Sequence, residues 1–212
     1  VFRFVGMDNY AQVVNTFAEN PYMVKAIFNS LILFLETSLS IAISLLFSYY
    51  IMKKYPFAKV FQIILFLPHI VPAIIMVALY KNFVNEFIPS VFRTLFNVEV
   101  EPLLRSDSLL QTQFVILFFC LWISFGTRIM LFSGAMNGIS DGVLEASKID
   151  GCSPAREFFS IILPMIYPTF TTLVVVAVSQ IFTNQMSLYS FYGTEAERQL
   201  YTIGYYLYVQ TK

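Results

Sequence analysis

Charged side chains are scarce in this sequence. Only 12% of its 212 residues are Asp, Glu, Lys or Arg, whereas 58% are hydrophobic, and the mean hydropathy is +0.70. Soluble globular domains carry about 25% charged residues, so half that share cannot cover a surface that faces water. The composition therefore excludes an ordinary soluble domain and predicts a polytopic membrane protein.

Other shortages exclude further classes of protein. The 13 basic and 13 acidic residues balance, so the chain has no basic signature for nucleic acid. The only histidine is His69, and no cluster of His, Cys and carboxylates has metal-ligand spacing. Cys120 lies in an apolar run and Cys152 in a polar segment, so we expect no disulfide between them.

The sequence also lacks the motifs of an enzyme. It contains no G-x-x-x-x-G-K-[ST] loop, so it does not bind ATP by that device. A nucleophile, its base and an orienting group cannot be assembled around one histidine inside an apolar run. We therefore expect a non-catalytic subunit that binds no cofactor of its own.

What the sequence does contain is long apolar runs. A helix needs about 20 residues to cross a bilayer. The predicted spans are 26–52, 61–80, 109–132 and 160–186. Proline removes a backbone donor and crowds the preceding turn, so we expect kinks in the second and fourth spans. The prolines concerned are Pro68, Pro72, Pro164 and Pro168.

The charges between the spans predict their orientation. Lys53, Lys54 and Lys59 follow the first span with no acidic residue among them, which is typical of a cytoplasmic loop. With four spans, the loop after the third span lies on the same side. The elbow segment, which we define as residues 141–159, is therefore predicted to be cytoplasmic, and the 81–108 loop is predicted to face outside.

The elbow segment carries helix start and stop signals. Ser140 or Asp141 can cap a helix at its start. Gly151 can end that helix in the left-handed conformation, and Ser153 followed by Pro154 is typical of a new start. The pattern predicts two short helices joined by a tight turn and held at the membrane surface.

These same residues resemble a known family. Glu145-Ala146-Ser147, then Asp150-Gly151 and Leu163-Pro164, are similar to the EAA loop of ABC importer permeases. The family pattern is E-A-A, three residues, G, then an apolar run that ends in L-P. This chain departs from it with Ser147 at the second alanine and Cys152 where alanine is common.

Two other stretches resemble the sugar-uptake branch of that family. They are FVGMDNY at residues 4–10 and LPHIVP at residues 67–72. The resemblance implies an all-α, type I ABC importer permease fold with six core helices. Four of these are visible here, and we expect the first and last to lie beyond the ends of the chain.

The resemblance also implies a function and a set of partners. The chain would be the permease subunit of an ATP-driven, binding-protein-dependent importer of a sugar or oligosaccharide, in a bacterial or archaeal plasma membrane. A second related permease, two ATPase subunits that hold ATP and Mg, and an extracellular solute-binding protein would complete it. Other solutes remain open: a glycerophosphodiester, a polyamine or an anion.

In this family the EAA loop docks into a groove on the ATPase. The residues expected to couple this chain to its ATPase are Leu144, Glu145, Ala146, Lys148, Ile149, Asp150, Gly151 and Cys152. We expect Leu144, Ile149 and Cys152 to form an apolar plug. Glu145 is expected to anchor it through a charge-assisted hydrogen bond to a basic group of the ATPase.

Ionisable groups inside the predicted spans suggest a substrate path. Glu36 and Arg128 are costly there, and such charges face a cavity or each other. They are candidates for the path, together with His69 and Trp122. The alternatives are a structural ion pair, an Arg128 that extends to the inner interface, and a packing role for His69. Glu36 and Arg128 could also serve an ion-coupled secondary transporter, which would leave the elbow unexplained.

Overall fold

A computed structural model shows an α-helical protein. It describes residues 20–104 and 108–211, together with residues 6–8, 10, 11, 14 and 15. Three of the seven residues of the FVGMDNY stretch, residues 4, 5 and 9, lie outside the described part. The helices are α1 (Pro21–Met52), α2 (Ala58–Ile70), α3 (Ala73–Asn82), α4 (Ile88–Phe96), α5 (Leu109–Asn137), α6 (Asp141–Ile149), α7 (Pro154–Glu157), α8 (Leu163–Met165), α9 (Tyr167–Ser179), α10 (Leu188–Tyr192) and α11 (Ile203–Gln210).

Three other helical turns join these elements. Wide π-helical turns lie at Phe83–Phe87, between α3 and α4, and at Phe158–Ile162, between α7 and α8. A 3₁₀ turn at Arg198–Leu200 precedes α11. Within the described residues, α1 and α5 are the helices that are each long and apolar enough to cross a membrane.

Helices α1 and α5 pack closely along a stripe of small polar residues. Ser40, Ser44 and Ser48 recur every fourth position of α1, so they share one face, and all three are fully buried. Ser48 Oγ donates to the Ile129 carbonyl of α5 at 3.2 Å. Small side chains let membrane helices approach closely, and this stripe explains why the two long helices form the centre of the fold.

The other two predicted spans lie on bent helix pairs. Helix α2 meets the run Ala73–Phe96 at 109°, and the run Pro154–Met165 meets α9 at 75°. If each bent pair is one span, the described residues supply up to four spans. The prediction of four spans stays a prediction, because length and composition allow two to four.

Buried apolar side chains gather in two clusters at different ends of α5. The tail cluster joins α3, α5 and the C-terminal residues, and includes Tyr80, Phe119, Phe191 and Tyr205. The elbow cluster joins α1, α5 and the elbow, and includes Ile41, Phe132, Phe158 and Ile162. Many large apolar side chains remain exposed on the outer faces of the helices, which a lipid bilayer would cover.

Candidate functional site

The turn between the two elbow helices caps the C-terminal end of α6 with backbone hydrogen bonds. Gly151 has φ +67°, in the left-handed region where a side chain would be strained. Its N–H donates to the Lys148 carbonyl at 3.1 Å, and the Cys152 N–H donates to the Ser147 carbonyl at 3.0 Å. These two bonds satisfy carbonyls that the end of α6 would otherwise leave unpaired. Gly151 is therefore needed for its backbone conformation.

The second elbow helix starts directly after this turn. Ser153 Oγ accepts a bond from the Arg156 N–H at 3.4 Å, and Pro154 takes the first helical position. Ser140 stands at the start of α6, but its side chain makes no capping bond. The elbow segment thus consists of α6, residues 150–153, α7 and the first two residues of the π-helical turn Phe158–Ile162.

Exposure divides the predicted coupling residues into two groups. Ile149 is 85% exposed. The neighbouring residues that are also exposed are Glu145, Ala146, Lys148, Asp150 and Gly151. Cys152 is half-buried. We call these exposed residues the elbow tip. Their polar surface around one large apolar side chain is suited to contact with a partner protein.

Leu144 lies apart from the exposed tip. It is half-buried and packs against the elbow cluster, together with Val143. Ser147, three residues on, is buried, and its Oγ donates to the Leu144 carbonyl at 2.8 Å. These residues share the inner face of α6, because positions i and i+3 or i+4 of a helix point the same way. Ile149, rather than Leu144, is therefore the large apolar group at the tip.

The four candidate kink prolines flank the two bends. Pro68 is buried within α2, which ends at Ile70. Val71 is extended because the following Pro72 disfavours a helical conformation, and α3 begins after Pro72. Pro164 and Pro168 lie in the first turns of α8 and α9, and the break falls between them at Ile166. Each bend thus lies next to a proline.

Glu36 and Arg128 are near each other but do not form an ion pair. Arg128 donates to Ser40 Oγ across the interface of α1 and α5. Glu36 accepts from Thr37 Oγ1 at 3.3 Å, and its buried Oε1 has no hydrogen-bond partner among the described residues. Both side chains are half-buried. A polar patch inside the spans with one unsatisfied acceptor can bind a hydroxyl group or water.

His69 belongs to a different contact, between α2 and α5. The hydroxyl of Thr127 lies 3.1 Å from His69 Nε2. Gly126 lets the two helices meet here, because a Cβ on it would come within 3.2 Å of the Leu65 carbonyl oxygen. His69 is otherwise exposed. The structure thus gives His69 a hydrogen-bonding partner and does not bring it to Glu36.

Trp122 lies in the tail cluster. Its ring is half-buried and its centroid is 6.4 Å from that of Tyr80. Of the four candidate path residues, only Glu36 and Arg128 are therefore brought together.

A buried amide network holds the C-terminal residues against the two long helices. Asn29 of α1 donates to the carbonyls of Gln199 and Tyr201, at 2.8 and 3.0 Å. Its own carbonyl oxygen accepts from Gln113 of α5 at 3.1 Å. Sequence reasoning missed this network. The one available signal was an uncharged amide in the middle of an apolar run, which needs partners when it is buried.

Tyr205 completes the anchoring of this C-terminal segment. It is fully buried, and its hydroxyl donates to the Gly193 carbonyl at 2.7 Å and accepts from the Ala196 N–H at 3.3 Å. Burial raises the pKa of the Tyr205 phenol, so the group remains a donor. The segment is fixed by specific bonds as well as by apolar contact.

Comparison with known proteins identifies the family. Residues 40–208 match the binding-protein-dependent transport system inner membrane component. The chain belongs to this family. Its helical fold and its identity as an inner membrane component of a transport system, both predicted from the sequence, are confirmed. The alternative of an ion-coupled secondary transporter finds no support.

Individual relatives are transport permeases. The chain is 28% identical over 175 residues to the sn-glycerol-3-phosphate transport system permease protein UgpA of Pectobacterium atrosepticum, covering 82% of this chain and 58% of UgpA. It is 24% identical over 185 residues to the maltose/maltodextrin transport system permease protein MalF of Klebsiella aerogenes, covering 85% of this chain and 35% of MalF. The chain thus spans only part of the length of these relatives.

Two solved structures share the fold. One is a bacterial ABC transporter involved in the import of the acidic polysaccharide alginate, with a TM-score of 0.78, 20% identity, and coverage of 97% of this chain and 72% of that one. The other is the alginate transporter in complex with an alginate pentasaccharide-bound periplasmic protein, with a TM-score of 0.71, 20% identity, and coverage of 95% and 67%. At 20% identity, the likeness shows the fold alone.

Proposed function

We propose that this chain is the permease subunit of an ATP-driven importer for a sugar or oligosaccharide, and that the elbow couples it to an ATPase. The observation that carries the proposal is the elbow itself. It places Ile149, which is 85% exposed, among exposed polar groups. Helix α6, which carries Ile149, ends in a turn that two backbone hydrogen bonds hold in place. Such a surface is preorganised for a partner.

The elbow can pass movement to the membrane helices because it is continuous with two of them. Only residues 138–140 separate α5 from α6, and Ile139 among them is buried. On the other side, α7 runs through the π-helical turn into α8 and the bend before α9. A rigid-body displacement of the elbow therefore reaches both α5 and α9.

The partners that this function needs follow from the family. We infer a second related permease, two ATPase subunits that hold ATP and Mg, and an extracellular solute-binding protein. Ile149 would enter an apolar groove of the ATPase, and Glu145 would accept a bond from a basic group beside it. The elbow would then lie on the cytoplasmic side of the membrane, as the lysines that follow α1 also indicate.

The solute class is inferred from the relatives and from the polar patch. MalF is a maltose/maltodextrin permease, and the two solved structures belong to an alginate importer. The free acceptor of Glu36 and the donor Arg128 suit a polyhydroxylated solute that crosses between the helices. UgpA favours a second candidate, a glycerol phosphate, whose anionic group Arg128 could attract.

The test begins with the assembled transporter. Affinity purification of the tagged chain should recover an ATPase and a binding protein, whose bound ligand mass spectrometry can identify. Proteoliposomes containing the complex are then supplied with radiolabelled maltose, maltotriose or sn-glycerol 3-phosphate. Uptake of a maltodextrin supports the sugar proposal, and uptake of glycerol phosphate alone supports the second candidate.

Elbow variants test the coupling. Gly151→Pro cannot keep φ +67°, so it should abolish uptake while the spans still insert. Glu145→Ala should have the same effect through loss of its polar contact. Gly142→Ala is the matched control, because a Cβ there meets nothing within 4 Å. Normal uptake by both coupling variants, at normal amounts in the membrane, would refute the proposed coupling.

A further inference from the structure

A buried ion pair links the elbow to the inner end of α1. Lys53 Nζ lies 2.5 Å from Oε1 and 2.7 Å from Oε2 of Glu157, which ends α7. The side chain of Glu157 is 4% exposed and that of Lys53 is 18% exposed. Among the residues that the structure describes, no other ion pair has its N and O atoms within 4.0 Å. The two residues are 104 positions apart, so the contact is tertiary.

Tyr49, one helical turn before Lys53, makes a second link between the same elements. Its hydroxyl donates to the Pro154 carbonyl at 3.2 Å. Its ring centroid lies 5.1 Å from that of Phe158 and 5.6 Å from Lys53 Nζ. The start and the end of α7 are therefore both tied to the last turn of α1.

These contacts matter because α1 is not continuous with the elbow. Chain connectivity carries movement of the elbow to α5 and α9 but not to α1. Apolar contacts alone would let two surfaces slide, whereas the charge-assisted hydrogen bond from Lys53 Nζ to Glu157 Oε2 fixes their relative position. The pair is also costly to separate, because either partner left alone would be an uncompensated buried charge.

We propose that Lys53, Glu157 and Tyr49 form a latch that makes the elbow and α1 move as one body. They are positioning residues. The inference rests on the proposed coupling of the elbow to an ATPase, and adds a third membrane helix to those that the ATPase displaces. The latch stays closed through the nucleotide cycle, so that the α1–α5 interface is displaced together with the elbow.

The test measures whether the elbow and α1 keep their separation when the ATPase is trapped. Spin labels are attached to Lys54→Cys, at the end of α1, and to Ala155→Cys, in α7; both positions are exposed. The native cysteines are replaced by alanine. Pulsed electron paramagnetic resonance then gives the distance distribution in the assembled transporter, without nucleotide and after trapping with ATP and vanadate. No transported solute is needed.

Charge variants distinguish a latch from an ion pair that only stabilises the protein. With the native pair, the label distances should agree in the two states. Glu157→Lys should broaden the distribution or shift it on trapping by about 5 Å, one helical turn. The exchanged pair Lys53→Glu/Glu157→Lys should restore the native result. The double variant Lys59→Glu/Glu157→Lys has the same net charge, but it places the new acid at an exposed position that forms no ion pair with residue 157. This variant should not restore the native distances.

The outcomes distinguish this proposal from the one it rests on. If Glu157→Lys lowers the thermal stability of the complex but leaves the distances unchanged on trapping, the pair is structural and the latch is wrong. A distance that changes on trapping even with the native pair also overturns it. If no ATPase co-purifies with the native chain, the proposed coupling fails first, and the latch fails with it.

Discussion

Replacement of Asn29 by alanine should release the C-terminal segment from the two long helices. The Asn29 side chain is 1% exposed and makes three hydrogen bonds, two as donor to the carbonyls of Gln199 and Tyr201 and one as acceptor from Gln113. Alanine removes all three bonds, and it leaves the buried amide of Gln113 without its Asn29 acceptor.

The size of the effect follows from the number of bonds. A net contribution of about 0.5–1.5 kcal/mol for each of the three bonds gives about 1.5–4.5 kcal/mol in all. The lower end of this range fits interhelical bonds in membranes, where each contributes about 0.6 kcal/mol on average. For a chain of this length, where 1 kcal/mol shifts the melting temperature by about 2–4 °C, the melting temperature should fall by roughly 3–18 °C.

The melting temperature is measured by thermal unfolding in detergent. Unfolding is followed by the fluorescence of Trp122, which packs in the tail cluster together with the C-terminal segment. Ser38→Ala is the matched control, because Ser38 bonds only within α1, to the Phe34 carbonyl. It should change the free energy of unfolding by less than about 0.5 kcal/mol. An Asn29→Ala variant that melts together with Ser38→Ala would refute the argument.

Two further predictions concern close packing and the polar patch. Gly204→Ala should destabilise the chain by about 1–3 kcal/mol in the same assay, because its Cβ would collide with the Thr183 backbone. Gly134→Ala, with open space around its Cβ, should be neutral or stabilise the chain by about 0.5–1 kcal/mol; equal effects would contradict this. Glu36→Gln should lower ATP hydrolysis stimulated by solute-loaded binding protein while basal hydrolysis persists. Glu86→Gln, in the π-helical turn between α3 and α4, should change neither activity. A joint fall of both activities with lower stability would make Glu36 structural.

The elbow illustrates what the sequence specifies locally. Gly151, Ser153 and Pro154 act through their own backbone or their nearest neighbours, so their effect can be predicted from a few residues. The helix end and restart at these positions follow from that chemistry. Leu144 shows the limit, because whether it faces a partner or the elbow cluster depends on how α6 lies against α1 and α5.

The long-range polar contacts could not be predicted in the same way. The charge of Lys53 predicts only a cytoplasmic loop, and nothing in the sequence distinguishes Glu157 from the other acidic residues of its polar segment. Their pairing depends on the placement of α7 beside α1, which neither local sequence specifies. The Asn29 and Gln113 pair has the same origin, since 84 residues separate its members.

The bends show an intermediate case. Proline predicts that a helix is disturbed nearby, and each bend does lie next to one. Sequence does not predict the size of the bend. Pro68 stays within α2, whereas the chain turns by 109° at Val71 and Pro72. How far each helix turns is set by what it packs against.

The central claim is that the elbow tip touches an ATPase, and photo-cross-linking from Ile149 tests it most directly. A benzophenone maleimide is attached to Ile149→Cys in a chain whose native cysteines are replaced, within the assembled transporter in membranes. Phe114→Cys, on the exposed surface of α5, is the control for a lipid-facing position. Illumination should join the Ile149→Cys chain, but not the Phe114→Cys chain, to an ATPase subunit. A product that lacks the ATPase, or equal ATPase cross-linking from both positions, would contradict the account.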